Sequence, residues 1–231
     1  MVCLTLPGIL REKSRLEGFE EPMPQQHQTF ADLRAQERKT RQRIIIEAAE
    51  RVYGKMPFEE VNMRAIAKEA AISVSSIYRY FPDQQSLFVE AFILGTREII
   101  ARVEDHIARG EISGLKDFAR MYMDFLLEHD HYFRMMTHFM LNGRLAGRPL
   151  EKLNQAARAI LDQFDRVFAQ NGIDGSTRLY SHAFFAALNG ILISFGKYPG
   201  RDPADVRRHM RKLADIVADM LENPGCTDDT A

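Results

Sequence analysis

Cysteine is nearly absent from this chain of 231 residues, which has only Cys3 and Cys226, one near each end. Two thiols in flanking segments build no disulfide framework, and their separation has no metal-ligand spacing. Long apolar runs are missing too: no stretch approaches the roughly 20 residues that a membrane-spanning helix needs. Nor is there a surplus of one charge, since 31 Lys and Arg face 32 Asp and Glu for a net charge of −1. That balance counts against a protein held to polyanions by bulk charge, so nucleic-acid contact would need a local basic cluster. A P-loop, a glycine-rich dinucleotide turn, a G-x-S-x-G elbow and paired metal-ligand motifs are all lacking. The sequence therefore names no catalytic residue, metal or cofactor. The opening MVCLTLPGILREK places basic residues after its short apolar stretch, the reverse of a secretory signal, and predicts a cytoplasmic protein.

What is present is ordinary for a globular chain, with 45% hydrophobic and 27% charged residues. Residues 1–28 hold Pro7, Gly8, Gly18, Pro22 and Pro24, then Gln25, Gln26, His27 and Gln28, and read as a flexible arm. From there the periodicity is helical. Leu33, Ile44, Ile45, Ala48, Ala49, Val52 and Tyr53 recur at spacings of three and four, predicting a helix over 29–55 that Gly54 and Pro57 end. Asn62 caps a short helix over 63–70, and Ser73 caps another over 74–80. Asp83 caps a long helix reaching about 109. Ser113 caps a segment carrying Leu115, Phe118, Tyr122, Phe125 and Leu126, followed by an apolar piece over 131–141. Pro149 marks a first turn, and Asn171-Gly172 closes that helix. Ser176 caps a helix running to 197, and Asp202-Pro203 opens the last one. With no β alternation in view, the prediction is an all-α fold of about nine helices.

Residues 62–81, NMRAIAKEAAISVSSIYRYF, hold two short capped helices separated by Ala71-Ile72, the size and spacing of a helix-turn-helix. Ile66, Ala67, Ala70, Ile72 and Ile77 supply the small core between them. Ser73, Val74, Ser75, Ser76, Tyr78, Arg79 and Tyr80 remain for the outside of the second helix. Hydroxyls, phenols and a guanidinium on one helix suit a major groove and its phosphates. Upstream lies a basic cluster of Arg34, Arg38, Lys39, Arg41 and Arg43 against Glu37.

The order of residues Ile45, Ala48, Ala49, Val52-Tyr53, Phe58, Met63, Ile66-Ala67, Ala70, Ser73, Ser76-Ile77-Tyr78, Tyr80-Phe81 and Leu87 resembles the signature of the TetR (tetracycline-repressor) family. Three positions depart from it. Ala71 stands where a turn glycine is usual, Val61-Asn62 replaces a small pair, and Gln84 replaces a lysine. By position, the resemblance implies that Arg64 contacts a base or phosphate and that Val74 and Ser75 face base edges. It implies that Ser76, Tyr78 and Tyr80 hold phosphates, with core packing the alternative for Tyr80. Arg41 and Arg43 would lie near the backbone, unless they are simply a solvated face. Asn62, Ser73, Arg79 and Gln84 complete the implied DNA-binding set, Gln84 without the usual charge.

The resemblance further implies a helical C-terminal domain that binds a small, largely apolar effector and dimerises through its last two long helices. The domains would be 29–86 for DNA and 87–223 for effector and dimer, with a tail over 224–231. The partners would be a palindromic double-stranded operator, the effector and a second copy, with no membrane. Ala183, Ala186, Ala187 and Gly190 permit close helix approach, while Phe184, Phe185, Leu188, Ile191 and Leu192 supply apolar area. An ordinary core helix has the same composition. Met121, Tyr122, Phe125, Met135, Phe139 and Phe184 are candidate effector contacts, with His129 and His138 as polar ones, and Met136 beside them. Each is equally what a plain core contains. His129, Asp130 and His131 do not share one helix face, so they are read as no metal site. A repressor released by its effector is the resulting expectation. An effector-independent helix-turn-helix protein and an activator of the same family are the alternatives.

Overall fold

The computed structural model of the chain describes residues 29–142, 145–173 and 177–222. The arm expected over 1–28, the tail over 224–231, both cysteines and the Ser176 cap lie outside the described residues. Among the described residues every regular element is a helix. In chain order these are α1 (Phe30–Lys55), a 3₁₀ turn (Phe58–Glu60), α2 (Met63–Glu69), α3 (Val74–Tyr78) and α4 (Gln84–Ala108). They continue with α5 (Leu115–Glu128), α6 (Asp130–Asn142), α7 (Gly147–Gln170), α8 (Thr177–Phe195) and α9 (Pro203–Glu222).

Caps account for most of the boundaries. Of the first of two units, the described residues are those up to Arg38, the start of α1. There the Thr29 amide donates to the Asp32 carboxylate at 3.0 Å, and the Asp32 amide returns a bond to the Thr29 hydroxyl at 3.2 Å. The second unit begins at Lys39. In it Asp83 Oδ1 accepts the Ser86 amide to start α4. α7 closes where Gly172 takes φ 70° and the amides of Gly172 and Ile173 return to the carbonyls of Ala169 and Phe168. One predicted cap is displaced: Gly114 holds the N-cap position of α5, while Ser113 donates through its amide and hydroxyl to Asp117. The orphan amide of Leu115 is taken instead by Glu222 of α9, at 2.8 Å.

The apolar core of the second unit is continuous. α1 contributes Ile45, Ala48, Ala49, Val52 and Tyr53. The predicted stripe was too wide, because Ile44 is 47% exposed. One residue turns the helix by about 100°, so Ile44 falls at the edge of the face centred on 45, 48, 49 and 52. α4 is buried along Leu87, Phe88, Ala91, Phe92, Ile99 and Val103 and packs along α7. α6 docks on α4 through a close approach at Gly95, where a Cβ would collide with the Tyr132 ring. That ring stacks on Phe92 at 5.0 Å, and its hydroxyl meets Thr96 Oγ1 at 3.0 Å. α8 packs on α7 and α9, and α9 on α5. Phe184, Leu188 and Leu192 of α8 are buried within the chain, so this apolar area is core rather than free surface. Leu179, Ala183, Ala186, Gly190 and Ile193 are exposed.

Two strained features of this architecture make measurable predictions. The α2–α3 turn is a Schellman closure in which the Ile72 amide bonds the Ala67 carbonyl and the Ala71 amide bonds the Lys68 carbonyl. Ala71 sits at its left-handed position, φ 53°. An alanine there costs roughly 1 kcal/mol that glycine does not. Ala71→Gly is therefore expected to stabilise the protein by about 0.5–1 kcal/mol in urea denaturation. On α1, burial pushes the Glu50 carboxyl up to about 7, with Glu98 and Glu47 adding repulsion and Arg51 relieving part of it. A raised carboxyl favours the protonated folded state. Its cost is therefore absent below the ordinary value near 4.5, grows as the pH climbs to about 7, and then levels off. Glu50→Gln should raise the melting temperature at pH 8 and leave it unchanged at pH 4, read by circular dichroism.

Candidate functional site

The α2–α3 pair is held together from inside and presented from outside. Ile66, Ala67 and Ile77 are fully buried between the helices, while Ala70 and Ile72 are half-buried at the turn. Asn62 Oδ1 accepts the amides of Arg64 and Ala65 at 3.1 and 3.0 Å, and its Nδ2 donates to the Glu60 carbonyl. Its amide group is thereby committed to capping α2. Ser73 Oγ accepts the Ser76 amide at 3.2 Å and lies within 3.0 Å of the hydroxyls of both Ser75 and Ser76. The three serines thus form one hydroxyl cluster at the head of α3.

Around that head the side chains divide by exposure. Ser75, Tyr78 and Arg79 are exposed, and Val74, Ser76 and Tyr80 are half-buried. Tyr78 is 51% exposed, which leaves the phenol on the surface, while Tyr80 packs against the core. Arg64 is exposed on α2. Gln84 points inward: its Nε2 donates to the Val61 carbonyl at 2.9 Å, tying the start of α4 to the residue before α2. Arg41 and Arg43 are exposed on α1, Arg43 in an ion pair with Glu47 at 2.8 Å. Arg51 and Lys55 both reach Glu69, which fastens α1 to α2.

The candidate effector residues divide in another way. Met121, Tyr122, Phe125 and Phe184 are buried and packed among one another's neighbours, with Tyr122 and Phe184 both against Phe118 and Phe164. Polar contact in that cluster runs from Asn189 Nδ2 to the Tyr122 hydroxyl at 3.1 Å. His129 stacks on Phe125 at 4.1 Å and bonds its carbonyl, closing the end of α5. Phe139 is half-buried. Met135 and His138 belong elsewhere, to a cavity of about 410 Å³ where the 3₁₀ turn meets the ends of α5 and α8 and one face of α6.

That cavity lies beside an interaction that sequence reasoning did not find. The Arg134 guanidinium on α6 donates to the carbonyls of Gly54 at 3.0 Å and Met56 at 3.1 Å, just where α1 ends. His138, one turn further on, stacks on Phe58 with 3.4 Å between ring centroids. Phe58 in turn packs against Tyr53 of α1 and Phe88 of α4. No local pattern announces these contacts, because the partners are about 80 residues apart in the chain.

Comparison with known proteins follows the same division. Residues 45–91 match the family model described as bacterial regulatory proteins, tetR family. The HTH-type transcriptional repressor KstR of Mycobacterium tuberculosis is 33% identical over 91 residues, which is 39% of this chain and 40% of that repressor. The chain therefore aligns with about two fifths of the length of that relative. The fold extends further. FadR of Bacillus subtilis, solved with stearoyl-CoA, superposes with a TM-score of 0.60 over 78% of this chain and 96% of its own, at 20% identity. A regulator from Saccharomonospora viridis, solved with choline, gives 0.61 over 77% and 96%, at 15% identity. At those identities the likeness is one of fold.

Proposed function

The chain belongs through residues 45–91 to the tetR family of bacterial regulatory proteins, and on that premise we propose that it is a cytoplasmic repressor released from a palindromic operator by a small, largely apolar effector. Residues 29–86 form the DNA-binding domain, and residues 87–223 bind effector and pair two copies. The observation that carries the DNA reading is the surface of α3. Ile77 is buried beneath it, while Ser75, Tyr78 and Arg79 are exposed above it. A recognition helix enters the major groove with its first turn, which here carries Val74 and Ser75. Tyr78 and Ser76 lie beside the backbone, with Arg64 reaching from α2 and Arg41 and Arg43 from α1.

Pairing is supported by what α8 and α9 leave uncovered. Leu179 is 68% exposed and Ile193 49% on α8, and Ile216 is 56% and Met220 63% on α9. Ala183, Ala186 and Gly190 lie between the two large residues of α8, which lets a partner helix approach closely. Exposed apolar stripes on two adjacent long helices suit a four-helix seam about a two-fold axis. Two copies would then present their α3 helices one turn of DNA apart, about 34–36 Å. FadR was solved with an acyl-CoA and the Saccharomonospora regulator with choline, which supports an effector here without naming it. Effector binding acts by favouring a dimer whose helices no longer match the half-sites.

Two experiments test this reading. Binding-site selection on wild type, Val74→Ala, Ser75→Ala and Tyr78→Phe should separate two kinds of effect. The first two changes should alter the preferred bases by about 1–3 kcal/mol per position. Tyr78→Phe should weaken binding to all sequences alike, because a phosphate contact positions without specifying. An unaltered preference in Val74→Ala and Ser75→Ala would remove α3 as the reader. For pairing, Gly190→Arg is informative because a Cβ at Gly190 meets nothing within 4 Å in the single chain. The variant should fold with unchanged helicity yet sediment as a monomer at micromolar concentration, where wild type is a dimer.

A further inference from the structure

The cavity at the joint between the 3₁₀ turn, α6 and the end of α8 borders the dimer stripe at Ile193, and neither that stripe nor the helix-turn-helix accounts for the rest of it. We propose that it is a ligand site, and that its ligand is a neutral, predominantly apolar small molecule. The inference rests on the ligand-responsive reading above and gives that reading a place and a chemical class.

Size comes first. About 410 Å³ lies within the range of roughly 300–1,000 Å³ in which small-molecule sites fall. The walls are apolar in the main: Phe58, Leu126, Leu127, Phe133, Met135 and Leu192. Charge decides the class. The lining carries Glu59 and Asp130 against Arg134 and Lys197, two of each sign. Lys197 lies 3.6 Å from Asp130, and Arg134 is engaged by the two carbonyls at the end of α1. Burial holds the His138 imidazole below its ordinary value, which favours its uncharged form. An organic ion entering here would lose hydration against a lining whose charges cancel. A neutral molecule loses little and gains the apolar walls, while the His138 ring offers it one hydrogen bond.

Position gives the site its consequence. A molecule in the cavity touches Pro57 and Phe58 on one side and α6 and α8 on the other. Pro57 and Phe58 follow α1, and α6 is the helix whose Arg134 holds its end. A ligand shifts an equilibrium only by binding one arrangement better than another. Here the walls belong to the two sides whose relative placement would have to change. The interior of α5 and α8, by contrast, is filled by Tyr122, Phe125 and Phe184.

The full-length protein can be titrated with N-phenyl-1-naphthylamine, a neutral dye that brightens in apolar surroundings, and with its sulfonated analogue 8-anilinonaphthalene-1-sulfonate. One dye per protomer is expected, with the neutral dye bound at least tenfold more tightly than the sulfonate. Thr137→Trp and Leu127→Trp each add an indole to the lining, and the chain has no tryptophan of its own. The emission of that single indole therefore reports whether it fills the cavity. In a filled variant the neutral dye should bind at least tenfold more weakly. Tyr122→Phe, in the packed interior, should leave dye affinity unchanged. Unchanged affinity in a variant whose blue-shifted emission places the indole inside, or loss in Tyr122→Phe alone, overturns the site. Equal or tighter binding of the sulfonate overturns the ligand class, and the absence of saturable binding overturns both. Operator selection on the dye-free protein is unaffected by any of these results, so failure of the site and failure of the regulator reading are told apart.

Discussion

A helix that stops inside a protein leaves carbonyls without partners, and the end of α1 is where this chain has to solve that problem. Pro57 prevents α1 from continuing and has no amide to offer. Arg134 supplies the missing donors, with one guanidinium reaching the carbonyls of Gly54 and Met56. A planar fork serves two acceptors at once, and its positive charge suits the negative end of a helix dipole. With the end of α1 held, Tyr53 meets Phe58 and Phe88. The 3₁₀ turn is then placed, Val61 is positioned to receive Gln84, and Asn62 can cap α2. A short series of contacts thus connects one side chain of α6 to the helix-turn-helix.

The same series explains why the cavity matters. Arg134 and His138 lie one turn apart on α6, the first fixing α1 and the second stacking on Phe58. Both border the open space. α6 is itself set on α4 by Tyr132 at Gly95, where the absence of a side chain allows the ring to sit against the helix backbone. A firmly docked helix with one unfilled flank can respond to a ligand without unpacking the rest of the core.

α8 meets two requirements with one sequence. Its inner face gives Phe184, Leu188 and Leu192 to the core, and Asn189 to the Tyr122 hydroxyl. Its outer face carries small residues between Leu179 and Ile193 and stays uncovered. Ion pairs join the elements around this core, including Arg120 to Asp215 between α5 and α9 and Arg178 to Asp162 and Asp165 between α8 and α7. Exposed pairs of this kind contribute little individually, and they set register more than stability.

Most of the helix-turn-helix was legible in the amino acids alone. Its determinants are local: caps at Asn62, Ser73 and Asp83, a buried period through Ile66 and Ile77, and a turn two residues long. Such features act over three or four residues, and hydrogen bonds at that range do not depend on the rest of the fold. The all-α class was legible for the same reason. Four things were not. Helical period sets Ile44 and Ile45 about 100° apart, but only packing chose Ile45. The apolar composition of α8 was plain, yet which residues the chain itself would bury depended on where α7 and α9 lay. Met135 and His138 were read with Tyr122 and Phe184 as one group, and the structure sends the first pair to the cavity and the second to the core. Arg134 carried no signal at all, because its partners are two carbonyls about 80 residues away. A backbone carbonyl is the same at every position, so only the assembled fold could decide which two that guanidinium would meet.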